Sequence, residues 1–264
     1  MSYRDIEFVV VLDLVKEVGE YLASQLNTLS NDQIVTKGKM DFVTVVDKEA
    51  EKRLVKGLSK VLPESGFIAE EGTSTKKGDI YNWIVDPLDG TTNYIHGVSP
   101  FCISVALQEK NELIFGVIYD PISKECFHAE KNKPAFLNSN EIRVSDKQHL
   151  SESLVATGFP YTDFSRINEY MESLREIMKT THGVRRLGSA AIDLAYVACG
   201  RYDAFYEYHL KPWDVAAGTV LIKQAGGTVC DFNGGQNFLF GENYVGTNGA
   251  CHSDFMDLIR KYFK

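Results

Sequence analysis

The chain has no basic run longer than the pair Arg185-Arg186, no C-x-x-C pair, no apolar stretch of bilayer length and no internal repeat. Each absence removes a class of function. With 36 acidic against 28 basic residues and a net charge of −8, it lacks the clustered positive surface that nucleic acids require. The same balance repels an anionic substrate unless cations mediate. Cys102, Cys126, Cys199, Cys230 and Cys251 are odd in number and widely spaced, and read as reduced core or subsurface thiols of a cytoplasmic protein. The run Phe8 to Leu12 ends at Asp13, too short to span a membrane, and Met1 to Asp5 carries no signal-peptide pattern. Prolines number only seven, and 44% of residues are hydrophobic, the composition of an ordinary globule. At 264 residues, one large or two tightly joined domains are expected.

What is present falls into two patterns. Ile6, Val9, Val10, Leu14, Val18, Tyr21 and Leu22 recur at helical spacing between Asp5 and Leu26. Ser30 to Lys39 is polar and Lys-containing, a solvated connector or a mobile flap, with Lys37 and Lys39 available to a phosphate. After Asp41 to Asp47 a second helix buries Ala50, Leu54, Leu58 and Val61 and stops at Pro63. From Gly66 to Val144 short β-type runs with polar turns such as Glu109 to Glu112 predict antiparallel hairpins. Past Leu150, strands and helices alternate, with helices at Asn168 to Lys179, Ser189 to Cys199, Pro212 to Ala225 and Ser253 to Tyr262. The halves 1–150 and 151–264 therefore differ in character, α+β first and α/β-like second.

The chemistry sits in Asp86-Pro87-Leu88-Asp89-Gly90-Thr91-Thr92-Asn93, which follows the apolar run Trp83-Ile84-Val85. Its carboxylates suit hard cations, and its Gly-Thr-Thr turn offers N–H and hydroxyl groups to phosphate oxygens. Three further acidic sites sit beside structural punctuation: Glu70-Glu71-Gly72 after an apolar run, Asp47 at the second helix, and Trp213-Asp214 at the start of another. Singly, Asp47 and Asp214 are ordinary helix-start acids and Glu70-Glu71 a solvated turn. Together they outline metal-assisted chemistry on a phosphate.

These runs resemble the inositol monophosphatase family of Mg2+-dependent, lithium-sensitive phosphatases. The family's acid-Pro-x-Asp-Gly-Thr-Thr signature is matched from Trp83 to Asn93, and its W-D-x-A-A/G-G signature by Trp213 to Gly218. Asp41 to Asp47 matches a third motif, and Ala69-Glu70-Glu71 a fourth with Ala in place of the first Gly. The resemblance implies an α+β fold, a layered αβαβα sandwich with an antiparallel N-terminal sheet and a second, mixed C-terminal sheet. It further implies two to three Mg2+ per subunit: Glu70, Asp86 and the Leu88 carbonyl at one, Asp86, Asp89 and Asp214 at a second, with Glu70 helping a looser third. Thr91 and Asp47 would orient the attacking water, Gly90 and Thr91 N–H groups would hold phosphate oxygens, and Glu207 would contact substrate hydroxyls. Gly188, Ser189 and Ala190 would line the same pocket, and the assembly would be a homodimer.

All the implied ligands are oxygens, which favours Mg2+ over Zn2+. The expected reaction is in-line attack of metal-activated water, with no phosphoenzyme, on a small polyol phosphate such as myo-inositol 1-phosphate. The alternative within the superfamily is a broad or different specificity: the 2′-phosphate of NADP, fructose 1,6-bisphosphate, or 3′-phosphoadenosine 5′-phosphate. A regulatory protein that kept the fold and lost turnover would have lost a ligand or the Thr91–Asp47 pair; every such position holds a competent residue. His96 reads as a structural loop residue and Cys102 as packing. His209 and Arg185-Arg186 sit near enough to motif residues to reach substrate or to form ion pairs.

Overall fold

Successive side chains of Cys102–Glu109 point alternately into two apolar clusters, and that alternation sets the layers. Ile103, Val105 and Leu107 enter one cluster, Cys102 and Ala106 the other. A strand buried on both faces must lie in an inner sheet with helices on either side. The computed structural model describes residues 6–28, 34–38, 41–74, 76–160 and 163–263, with the backbone alone at 34–38 and 41–43.

The first layer is a helix pair. Helix α1 (Phe8–Gln25) buries Phe8, Val11, Val15, Val18 and Leu22, one stripe at three- and four-residue spacing. Val9 and Val10, which the spacing placed on that stripe, face outward. Strands β1 (Ile34–Gly38) and β2 (Asp41–Thr44) form an antiparallel pair, so half of the polar connector is β-structure. Lys39 and the side chain of Lys37 lie outside the described residues. Helix α2 (Val45–Val61) begins at a capping box in which Thr44 and Asp47 satisfy each other's backbone N–H groups. It buries Ala50, Leu54 and Leu58 against α1 and the sheet below.

That sheet contains β3 (Gly66–Ala69), β4 (Tyr81–Asp89), β5 (Cys102–Glu109), β6 (Glu112–Asp120), β7 (Glu125–Glu130), β8 (Ala135–Leu137) and β9 (Asn140–Ile142), side by side in chain order. All pairs are antiparallel except β3–β4, which is parallel. Short helix α3 (Thr91–Ile95) follows β4 directly. The second sheet holds β10 (Leu154–Thr157), β11 (Gly183–Arg185), β12 (Ala204–Tyr208), β13 (Thr228–Cys230) and β14 (Asn243–Thr247), in the order β11-β10-β12-β14-β13. It is mixed: β10 runs parallel to β11 and β12, while β14 is antiparallel to β12 and β13. Helices α5 (Ala190–Ala198) and α6 (Pro212–Gln224) fill the space between the sheets, and α4 (Ile167–Thr180) and α7 (His252–Tyr262) cover the far face. The result is the expected αβαβα sandwich. Among the described residues no helix is long and apolar enough to cross a membrane, and all five cysteines are unbridged.

One irregularity positions the site. In a regular strand, residues three apart point to opposite faces. On β4, however, Asp86 pairs with Ser104 and Asp89 with Cys102, so three steps on β4 match two on β5. The extra residue is a bulge at Pro87-Leu88, where proline has no N–H to give to the ladder. Both carboxylates therefore reach the same face, that of Ile84 and Cys102, toward the central helices. The expected loop is instead the end of a strand.

Candidate active site

Six elements converge where the central helices begin. Asp214 occupies the first turn of α6, its Oδ2 accepting the Lys211 N–H at 2.7 Å. The Ser104 hydroxyl donates to the Trp213 carbonyl at 3.1 Å, so the strand partner of Asp86 is fastened to the residue before Asp214. Ser189 caps α5 through the Ile192 N–H and donates its hydroxyl to Asp89 Oδ2 at 2.6 Å. The Ala191 N–H adds a second bond to the same oxygen at 2.7 Å. On β12, Phe205 faces the central layer while Ala204, Tyr206 and Tyr208 face α4 and α7. Glu207, two residues beyond Phe205, is thereby turned to the central side as well.

These residues line one cavity of about 450 Å³: Glu70, Asp86, Leu88, Asp89, Gly90, Thr91, Gly188, Ser189, Ala190, Glu207 and Asp214 all contribute. Asp47 does not line it. It is buried behind Thr91, whose hydroxyl lies 3.2 Å from Asp47 Oδ1 and 3.0 Å from the Leu88 carbonyl. Asp47 Oδ2 in turn takes the Thr44 N–H at 3.0 Å, so the capping box that starts α2 also fixes the partner of Thr91. Gly90 has φ +92°, and a Cβ there would stand 3.2 Å from the Pro100 carbonyl and 3.3 Å from that of Gly188. Only glycine makes this turn without strain.

The electrostatics of the cluster are costly. Burial, then Glu70, Asp89 and Asp214, push the Asp86 carboxyl well above the usual carboxylate range. Asp214 is raised by burial and then by Asp89. Asp89 is also raised by burial, partly offset by hydrogen bonds from Ser189, Ala191 and the Gly90 N–H. That last bond occupies an N–H that sequence reasoning offered to phosphate. Asp86 and Glu70 stand close enough that a proton shared between them also raises Asp86, and a cation there would relieve the same repulsion.

Among the described residues no three His, Cys, Asp or Glu groups already stand in a metal-holding arrangement. The donor set nevertheless fits a hard divalent ion: oxygen atoms only, buried at Asp86 and half-buried at Glu70, Asp89 and Asp214, mutually repelling and converging on one cavity. Among the described residues, Arg186 is the one basic side chain on the cavity wall. Its guanidinium carbon lies 5.5 Å from the centre of the Phe159 ring. Arg185 is directed elsewhere, donating to the Val184 carbonyl at 3.0 Å. His209 sits near Glu242 Oε2 at 3.5 Å and does not line the cavity, and exposed His96 does not either.

Three contributors escaped the sequence reading. Asp193 lines the cavity with its Oδ1 buried and without a hydrogen-bond partner among the described residues. Its place one turn after Ser189 on α5 is the only signal that pointed to it. Asn93 donates to the Pro100 carbonyl at 2.7 Å and to Leu187 at 2.9 Å, binding the acidic motif to the segment before Gly188. Gly158 leaves room for Glu207: a Cβ there would stand 2.1 Å from both carboxyl oxygens.

Comparison with known proteins bears on this arrangement. Residues 6–263 match the inositol monophosphatase family. Inositol-1-monophosphatase of Rhizobium meliloti is 42% identical over 227 residues, covering 86% of this chain and 85% of that protein. Nus factor SuhB of Pseudomonas aeruginosa is 38% identical over 258 residues, 96% and 95% of the two chains. Among solved structures, an IMPase of Thermotoga maritima superposes with a TM-score of 0.87 at 37% identity, over 96% of each chain.

Proposed function

Because the chain belongs to the inositol monophosphatase family, whose members are phosphoric monoester hydrolases, we propose that it hydrolyses small polyol phosphates, such as myo-inositol 1-phosphate, with Mg2+. The observation that carries this reading is the acidic wall formed by Glu207 and Asp193 in the same cavity as Asp86, Asp89, Asp214 and Thr91. Buried acceptors beside a phosphate site call for a leaving group rich in hydroxyls. Burial, and then Asp89, push the Glu207 carboxyl up to about 8 against the opposing pull of Arg186. Near neutral pH it can accordingly both accept and donate to a polyol.

Glu70, Asp86 and the Leu88 carbonyl would hold one Mg2+, and Asp86, Asp89 and Asp214 a second, with Glu70 assisting a third. Bound there, Mg2+ supplies a water acidic at neutral pH, charge neutralisation on the phosphate and a Lewis acid for the leaving oxygen. The remaining work belongs to the chain. The Thr91 proton is directed to Asp47 or to the Leu88 carbonyl, so a hydroxyl lone pair is left to accept from the attacking water. Water held this way turns its own lone pair toward phosphorus, in line with the departing oxygen. Asp47, raised by burial, is suited to take the proton relayed through Thr91. With the Gly90 N–H given to Asp89, the Thr91 N–H would receive a nonbridging oxygen, and Arg186 would offset part of its charge. Lithium inhibition, a homodimer in the cytoplasm, and a division of labour between residues 1–150 and 151–264 complete the proposal.

Phosphate release from a panel of polyol, sugar and nucleotide phosphates, with and without Mg2+, tests this reading. Activity should require Mg2+ and be highest on esters with a hydroxyl next to the phosphate. Glu207→Gln should lower kcat/KM on such esters roughly 10- to 100-fold, the cost of a buried hydrogen bond left mispaired, and leave p-nitrophenyl phosphate unaffected. Preference for NADP or a nucleotide, or an indifferent Glu207→Gln variant, would overturn the polyol assignment.

Gly158→Ala should act through the same carboxylate. The added methyl must displace Glu207, and about 1 Å of misplacement costs on the order of a hundredfold in rate. A drop of that size on polyol esters, with p-nitrophenyl phosphate hydrolysis kept, is expected in parallel assays. Equal loss on both substrates would mean that the cavity as a whole had collapsed.

A further inference from the structure

Outside the carboxylate cavity, β13 and α7 bring together a thiol, a thioether and an imidazole. The Cys230 thiol donates to Met256 Sδ at 3.4 Å, and its Sγ lies 4.0 Å from His252 Nε2. His252 and Met256 are four residues apart on α7 and so share one face of the helix. None of the three lines the proposed active site.

We propose that Cys230, Met256 and His252 form a binding site for one soft monovalent metal ion, such as Cu+. Metal–sulfur and metal–nitrogen bonds of roughly 2.0–2.3 Å laid end to end exceed both measured separations, so one ion can span the thiol to either partner, and the shared face of α7 puts both partners on the same side of it. A thioether is a poor ligand for Mg2+ and a good one for Cu+, and no carboxylate takes part. The ring is oriented from behind: His252 Nδ1 lies 3.0 Å from the Thr247 hydroxyl oxygen on β14. With the ring proton on Nδ1, Nε2 presents its lone pair to the sulfurs, the arrangement a metal-ligating histidine needs. Burial, aided by Arg260, favours the neutral ring. Cys230 and Met256 are buried while His252 is partly exposed, so the ion has a way in past the imidazole. Binding replaces the thiol proton, Cys-SH plus M+ giving Cys-S-M plus H+, with the proton released to solvent and no electron transferred. An ion held there would tie β13 to α7.

The full-length reduced protein, titrated with Cu+ against a competing Cu+ chelator, tests the site. One equivalent should be retained, with a sulfur-to-metal charge-transfer band in the near ultraviolet. Cys230→Ser should abolish retention. Met256→Leu and His252→Asn should each weaken it at least tenfold, while Cys199→Ser should leave it unchanged. Copper-edge absorption spectroscopy on the unmutated protein should find two sulfur neighbours and one nitrogen, a readout independent of how well any variant folds. Failure to retain Cu+, indifference to both Met256→Leu and His252→Asn, loss in Cys199→Ser, or fewer than two sulfur neighbours would each overturn the proposal and leave the cluster as packing alone.

Discussion

Asp214→Asn is expected to lower kcat/KM for ester hydrolysis about a thousandfold or more and, at the same time, to make the metal-free protein more stable. Both effects come from one charge. Asparagine keeps an oxygen that can accept the Lys211 N–H, so the start of α6 keeps its cap. What it loses is the negative charge that holds a cation against the phosphate, a contribution of several kcal/mol to the transition state. Without metal, that charge is a burden, because burial and Asp89 hold the Asp214 carboxyl above its ordinary value. The sign follows from linkage. An acid whose folded value is raised binds more protons folded than unfolded, so its penalty is absent below about pH 4 and grows as pH rises toward the folded value. In EDTA at neutral pH the variant should melt higher, by about 2–4 °C for each kcal/mol relieved, and the advantage should vanish near pH 4. Calorimetry with and without Mg2+, beside phosphate-release kinetics, checks both halves. A near-normal rate at saturating Mg2+ would remove Asp214 from the site.

Thr91→Ala should reduce kcat by about 10²–10³-fold, the usual worth of a positioned proton-transfer group, with KM nearly unchanged. The hydroxyl would act on water in the transition state, and losing such a group lowers kcat and kcat/KM together. Thr91→Ser restores the oxygen opposite Asp47 and should recover most of the rate. Steady-state kinetics of the two variants separates this role from a packing role: a Ser variant as slow as the Ala variant would mean that the methyl group, rather than the hydroxyl, matters. Asp47 is less simple to test, because its second carboxyl oxygen also caps α2.

The acidic runs were legible in the sequence because each residue of Asp86 to Thr91 has its own geometric demand. The long amphipathic helices were legible because burial follows a period of 3.6. What escaped was set by contacts between distant segments. Ala204–Tyr208 is apolar except for Glu207, and that one charge disguised a strand whose alternate face is a cavity wall. Thr91–Ile95 is too short for any periodicity to register as a helix. The parallel pairing of β3 with β4 is invisible locally, since both strands read alike whichever way they run. Val9 and Val10 show the converse: apolar residues on a helix flank that nothing among the described residues covers. Asp193 carried no motif, and only the packing of α5 against the cavity gave it meaning.

The misaligned rungs between Asp86 and Asp89 also constrain how the molecule can assemble. Were β4 to dock on β5 in unbroken register, Asp89 would be driven into the hydrocarbon of α1 and α2, where an ion has neither water nor a counter-charge. That wrong alignment is self-defeating. The acids that repel one another in the cavity also act as proofreaders of the sheet, and a chain that carries them is steered to the single alignment in which they can work.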